Sequence, residues 1–202
     1  MKDLLFLTLF TVTSIHAQVE PAPLEEAQKA ALTLNNALGE PADVPFQLAT
    51  DLRKPYAIKA GQAAMLAVPV HSLKENLKTA KDGEIIPVGQ LWLHKVVLET
   101  DGKPAKSSGL KIVSIATPDG EDSATLYLLA IRKSGDTGEL IIYGNGSQPL
   151  AQIPLRKMDV PQEAPIELDG KKRDDHSGEL ILYLGDRFEA RIIVRRPDPK
   201  AN

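Results

Sequence analysis

The chain has 202 residues, 24 Lys+Arg against 27 Asp+Glu for a net charge of −3, and no cysteine. That balance gives no electrostatic reason to expect nucleic acid or an anionic membrane as partner. The lack of thiols excludes cysteine catalysis and cysteine-ligated metal.

The N-terminal stretch "MKDLLFLTLFTVTSIHA" places Lys2 before an apolar run from Leu4 to Ile15 and closes on Ala17. The run has signal-peptide length and is too short to span a bilayer, so residues 1–17 are expected to be a signal peptide. No Cys follows, so no lipid anchor is indicated and no membrane-spanning segment remains after cleavage. An exported, cysteine-free chain of about 185 residues, large enough to build a core without disulfides, points to a bacterial envelope protein in the periplasm or at the outer membrane or cell surface.

Residues 18–44 form the next expected unit. In "LEEAQKAALTLNNALG", Leu24, Ala27, Ala31, Leu34 and Leu38 recur at helical spacing, with Glu25 and Glu26 in the first turn and Gly39 as a stop. The stripe predicts an amphipathic helix that packs on the domain or docks on a partner. From residue 45 to 197 the pattern becomes short apolar runs broken by Gly, Pro and Asp. "FQLATDL", "YAIKAGQAAMLAVPV", "IIPVGQLWLHKVVLET", "LKIVSIATP", "ATLYLLAIRK", "GELIIYG", "AQIPLRK", "APIEL", "GELILYLG" and "FEARIIVRR" all read as strands. Strands at that spacing without intervening helices predict an all-β, mainly antiparallel sandwich or barrel. In "SLKENLKTAKDG", Ser72 and Glu75 have capping-box spacing and predict one short helix. The tail at 198–202 is expected to be disordered.

One hairpin is written nearly twice. "GELIIYGNG" (Gly138 to Gly146) and "AQIPLRK" (Ala151 to Lys157) are matched by "GELILYLGD" (Gly178 to Asp186) and "ARIIVRR" (Ala190 to Arg196). Alternation puts Leu140 and Ile142 with Leu180 and Leu182 on one face, and Ile141 and Tyr143 with Ile181 and Tyr183 on the other. Pro154 cannot donate to a ladder, which predicts an edge strand or a bulge. Two good copies are too few for a solenoid or propeller. Similar packing demands or an internal duplication would each produce them.

Sites of chemistry are scarce. Of the histidines beyond the signal peptide, His94 shares a strand face with Trp92, which predicts a core or interface role, and His71 precedes the expected helix. His176 lies beside Asp174 and Asp175, yet adjacent loop residues point apart and no second ligand pair exists at metal spacing, so no metal or cofactor is expected. No nucleophile elbow, zinc-binding helix or phosphate loop appears. Trp92 and Phe46 read as core, leaving Tyr143 and Tyr183 as the repeated aromatic feature and a possible glycan platform. Arg132, Arg156, Arg195 and Arg196 fall at outward positions, where they serve as a partner stripe or as charges guarding a sheet edge.

A signal peptide, one amphipathic helix and a disulfide-free all-β module ending in "GELILYLGDRFEARIIVRRPD" resemble small exported immunoglobulin-like envelope proteins associated with type IV pilus-like gene clusters. The resemblance implies an immunoglobulin-like β-sandwich carrying an N-terminal amphipathic helix. A pilin keeps a long apolar N-terminal helix for polymerisation, whereas here the apolar stretch is short and removed, so the resemblance implies an accessory or surface-interaction role. The expected function is therefore non-enzymatic: protein–protein contact in the envelope, with an envelope protein or a second copy as partner. Glycan binding is the alternative and a hydrolase the third reading. The interaction candidates are Leu24 and Leu34 on the helix and Tyr143, Tyr183, Arg156 and Arg195 on the sheets.

Overall fold

Period-two alternation dominates the chain, and the structure, a computed structural model, forms strands almost wherever it occurs. Residues 19–39, 44–117, 120–158 and 160–197 are described; the expected signal peptide (1–17) and the tail (198–202) lie outside the described residues. In chain order the elements are β1 (Val19–Pro21), α1 (Leu24–Ala37), β2 (Tyr56–Ala60), β3 (Ala63–Pro69), α2 (Leu73–Thr79), β4 (Ile85–His94), β5 (Val97–Thr100) and β6 (Lys103–Pro104). They continue with β7 (Lys111–Thr117), β8 (Gly120–Ser134), β9 (Thr137–Tyr143), β10 (Pro149–Pro154), β11 (Arg156–Lys157), β12 (Ile166–Lys172), β13 (Ser177–Leu184) and β14 (Phe188–Arg195).

These strands make two antiparallel sheets. The first runs β1-β2-β3-β4-β8-β9-β10, with β7 paired to the N-terminal half of β8; the second runs β12-β13-β14-β5-β6, with β11 on β14. Two apparently continuous runs are split between the sheets. "IIPVGQLWLHKVVLET" breaks at Lys95, whose φ of 62° turns the chain from β4 in the first sheet to β5 in the second. "AQIPLRK" breaks at Leu155, from β10 on the edge of the first sheet to β11 on the second. Pro154 is thus the last residue of an edge strand, where its missing donor costs no ladder bond. Gly89 sits beside a bulge between β4 and β8 and against β3; a Cβ there would lie 2.2 Å from the Val68 carbonyl oxygen, so only glycine permits that approach.

The inner faces of both sheets share one core. Leu91 and Leu93 of β4, Leu129 and Ile131 of β8, and Leu140 and Ile142 of β9 meet Leu180, Leu182 and Leu184 of β13 and Ile192 and Val194 of β14. The repeated hairpins therefore pack their equivalent apolar faces into the same core from opposite sheets. Each copy also pairs its Glu with an Arg on the neighbouring strand: Glu139 with Arg132 at 3.7 Å, and Glu179 with Arg191 at 2.9 Å. Their turns differ. The second is a tight turn with Gly185 and Asp186 both at positive φ, the mirror-image geometry favoured in hairpins, whereas the first is longer and bulged.

The outer face of the first sheet is apolar as well. Leu66 and Val68 (β3), Trp92 (β4), Leu126 and Leu128 (β8), and Ile141 and Tyr143 (β9) form a second core, closed by Ala27, Ala31 and Leu34 of α1. α1 ends before Gly39, whose φ is 66°, and it docks on its own chain.

Two local expectations are corrected. "FQLATDL" is not a strand: only Thr50 bridges, to Val70, and the segment otherwise lies over the sheet with Phe46 and Leu48 packed on apolar neighbours. α2 forms, but Ser72 takes a left-handed conformation (φ 57°) and makes no side-chain cap, so the capping-box reading fails. Burial of Leu73 and Leu77, one turn apart, drives this helix instead.

Candidate functional site

Strand alternation aims Ala57 and Lys59 of β2, Ala64 and Leu66 of β3, Trp92 and His94 of β4 and Ala124 of β8 toward α1. The helix answers with Glu26, Ala27, Ala30 and Leu34. Leu34, Leu66 and Trp92 fill the space between the layers, but alanines line both walls elsewhere. The walls cannot meet there, and an apolar cleft of about 210 Å³ remains between α1 and the sheet.

Charged pairs mark the mouth. Lys59 Nζ donates to Glu26 Oε1 at 2.8 Å, joining β2 to α1. On the β4–β8 side, Asp122 Oδ2 lies 2.6 Å from Lys95 Nζ and 2.9 Å from His94 Nε2, while Asp122 Oδ1 accepts the Ser123 N–H. The Lys95 ammonium first and His94 second hold the Asp122 carboxyl well below the usual carboxylate range. His94 thus stands at the strand end, a quarter exposed at the cleft, and not in the core. Trp92 is buried beneath, its indole N–H donating to Gln90 Oε1 at 3.0 Å.

The structure separates the residues singled out in the sequence. Leu34 is buried at the base of α1's packing stripe, so it holds the helix and offers no free surface, whereas Leu24 at the helix start is 56% exposed. Tyr143, expected to face outward, is 3% exposed and packs edge-on against Phe46, with ring centroids 5.3 Å apart. Its face assignment was right, but α1 and the 44–52 segment cover that face. Tyr183 is half-buried on the outer face of the second sheet, raised above its ordinary pKa by burial and then by Asp169 and Glu189. The two tyrosines therefore belong to different faces of the molecule and make no common glycan platform. The arginines do not form a stripe either: Arg132 pairs across to Glu139 in the first sheet, and Arg195 pairs with Glu99 in the second. Arg156, on β11, is exposed and makes no ion pair among the described residues.

Elsewhere polar groups are occupied locally. Asp174 accepts the His176 and Ser177 N–H groups, both at 2.7 Å, and the Ser177 hydroxyl; these bonds, the hydroxyl's foremost, hold its carboxyl down to about 2. Among the described residues no three His, Asp or Glu side chains stand close enough to hold a metal. Asp51 is buried and bound by Arg53 through the backbone N–H (3.2 Å), Nε (2.9 Å) and Nη2 (3.2 Å).

Sequence reasoning found α1 and Trp92 but missed the cleft. Its signal lies in the small residues, Ala27 and Ala30 on the helix against Ala57, Ala64 and Ala124 on three strands. These face one another only once the sheet order is known. No family model, curated protein or solved structure matches the chain.

Proposed function

We propose that the protein is an exported, non-enzymatic binding module of the bacterial envelope, and that the cleft under α1 seats an apolar side chain of a protein partner. The observation that supports this is the unfilled volume. The cleft opens to solvent, so its apolar walls are wetted, and a partner side chain that entered about 210 Å³ of such space would remove them from water. The volume falls below the roughly 300 Å³ at which small-molecule pockets begin, and it matches a single buried anchor ringed by polar groups, the usual anatomy of a protein contact. Lys59, Glu26 and His94 provide that ring.

The immunoglobulin-like class and the pilus-associated setting belong to the same proposal. Two facing antiparallel sheets with strands that switch between them support the former. The meanders β2-β3-β4 and β8-β9-β10 run against it, because immunoglobulin sandwiches use Greek-key connections.

The test is photo-crosslinking from position 59 in envelope extracts, comparing the wild-type chain with an Ala30→Leu chain whose cleft is filled. One discrete adduct, lost on filling, is expected. An adduct of twice the chain mass would identify a second copy as the partner. Adducts that ignore the filling substitution overturn the assignment.

A further inference from the structure

A second, smaller pit lies where the end of β8 and the β8–β9 turn at Gly135 and Asp136, strand β11 and the turn into β14 converge. Two of its cations reach from it to the C-terminal end of α2. It encloses about 50 Å³ and is lined by Lys133, Lys157 and Arg187, with Asp136 the one carboxylate among its lining residues. Residues 133, 157 and 187 are far apart in sequence, so the fold itself gathers these three cations.

Part of their charge has a structural use. Lys133 Nζ donates to the Ala80 carbonyl at 2.8 Å, and Arg187 Nη1 donates to the Leu77 carbonyl at 3.4 Å; both carbonyls end α2, where cations complement the helix dipole. Lys157 Nζ stands 3.4 Å from Asp136 Oδ2, and both side chains are about half exposed or more, so this pair holds little. The Gly135 N–H is taken by Asp82 Oδ1 at 2.9 Å. An ammonium has three N–H donors and a guanidinium five. One donor on each cation is engaged, two of the three at 3.4 Å, so donors and positive charge exceed the acceptors that meet them. Asp136 offsets one of the three charges in the pit, and a bound anion would offset the remainder.

Size narrows the ligand. A water needs about 10–15 Å³ on this measure, so 50 Å³ accommodates roughly three to five heavy atoms. A tetrahedral oxyanion has five, and the planar fork of an arginine with two lysine point charges suits it. We propose that Lys133, Lys157 and Arg187 form a binding site for a phosphate- or sulfate-type group, carried either by a soluble anion or by a lipid headgroup. The proposal does not rest on the cleft under α1.

The test is a ¹⁵N–¹H titration of the mature chain with sodium phosphate, holding ionic strength constant with sodium chloride. Saturable shifts confined to the backbone around residues 135, 157 and 187 are expected. Lys157→Gln changes an exposed side chain and should leave the unfolding midpoint in place while weakening binding about tenfold, the loss of one charge-assisted contact. Arg187→Lys keeps the charge and loses the fork, and should weaken binding as well. Cosedimentation with phosphatidylcholine vesicles, with and without phosphatidic acid, separates the sources. Lys157-dependent sedimentation assigns the headgroup, and phosphate binding without sedimentation assigns the soluble anion. Shifts that chloride reproduces, or that Lys157→Gln and Arg187→Lys leave unchanged, together with no sedimentation, overturn the site.

Discussion

Filling the cleft under α1 should stabilise the protein while abolishing the partner contact proposed for it. Ala30 lines the cleft from the helix side and is only partly buried. Ala30→Leu adds three carbons pointing into about 210 Å³ of open apolar space, and leucine is nearly as good a helix former as alanine. At about 0.8 kcal/mol per buried carbon the gain is at most about 2.4 kcal/mol. Ordering the leucine side chain returns roughly 0.5–1 kcal/mol, leaving about 1.5 kcal/mol. For a chain of this size about 1 kcal/mol moves the midpoint by roughly 2–4 °C, so a rise of about 3–6 °C is expected in calorimetry. The same variant should lose the adduct formed from position 59. Cavity-filling substitutions that stabilise are common in natural proteins, so the rise in Tm reports the free volume and only the loss of the adduct reports the contact. A fall in Tm with an intact fold would show that the gap is not free volume, and the reasoning would fail with it.

Three further outcomes follow from other contacts. Tyr127→Phe leaves the buried Leu98 N–H, now 3.0 Å from the Tyr127 hydroxyl oxygen, without its partner between the sheets. Urea unfolding should register a loss of about 1–3 kcal/mol, and a loss below about 0.5 kcal/mol would mean that the amide finds another acceptor. Gly89→Ala drives a Cβ to 2.2 Å from the Val68 oxygen on the adjacent strand, so it should cost about 1–3 kcal/mol or more in the same assay and reduce soluble yield. Arg53 holds the buried Asp51 carboxyl below its ordinary value of 3.8, so its contribution is complete above that pH and is lost as the pH falls through the lower folded value. The urea midpoint should therefore drop on acidification below about pH 4, and more steeply in the wild-type chain than in Asp51→Asn.

Much of the β architecture is legible because alternation and turn chemistry are local. "GELIIYG" and "GELILYLG" announce their inner faces, and Gly39 and Gly185, both at positive φ, mark an end and a turn where the sequence places them, whereas "YAIKAGQAAMLAVPV", read as one strand, turns at Gly61 (φ 61°) into the hairpin β2–β3. Strand order is not legible, since β4 beside β8 and β14 beside β5 are pairings of distant segments that no single run encodes. The break at Lys95 is hidden for a related reason: lysine at positive φ has no compositional signature, and the apolar residues on either side belong to different sheets. "FQLATDL" alternates well enough to pass for a strand, yet its pairing is confined to one bridge, Thr50 to Val70, with the Asp51 N–H on the Pro69 carbonyl and the Ala49 carbonyl taking the His71 N–H. The cleft is the hardest to foresee, because its alanines come from a helix and three strands.

The two hairpins bury the same face and differ on the other, and that difference decides where a helix can dock. In the first copy Ile141 pairs with Ala130 and Tyr143 with Leu128, so the outer surface continues as an apolar floor through Leu126 and Trp92. In the second copy Ile181 stands between Asp169 and Arg191, and Tyr183 between Glu167 and Glu189. Arg191 ties Glu189 at 2.6 Å and Glu179 at 2.9 Å, so a helix laid there would have to desolvate an ion-pair ladder. The alanine stripe of α1 therefore has one place to go, and its narrowness leaves the apolar cleft beneath it. It follows that removing α1 is a poor test of an assembly role. The truncated chain would expose Leu66, Trp92, Leu128 and Tyr143 together, and self-association would then report an uncovered core. Filling the cleft leaves that floor covered, which is why a single substitution at position 30 separates binding from folding where a deletion cannot.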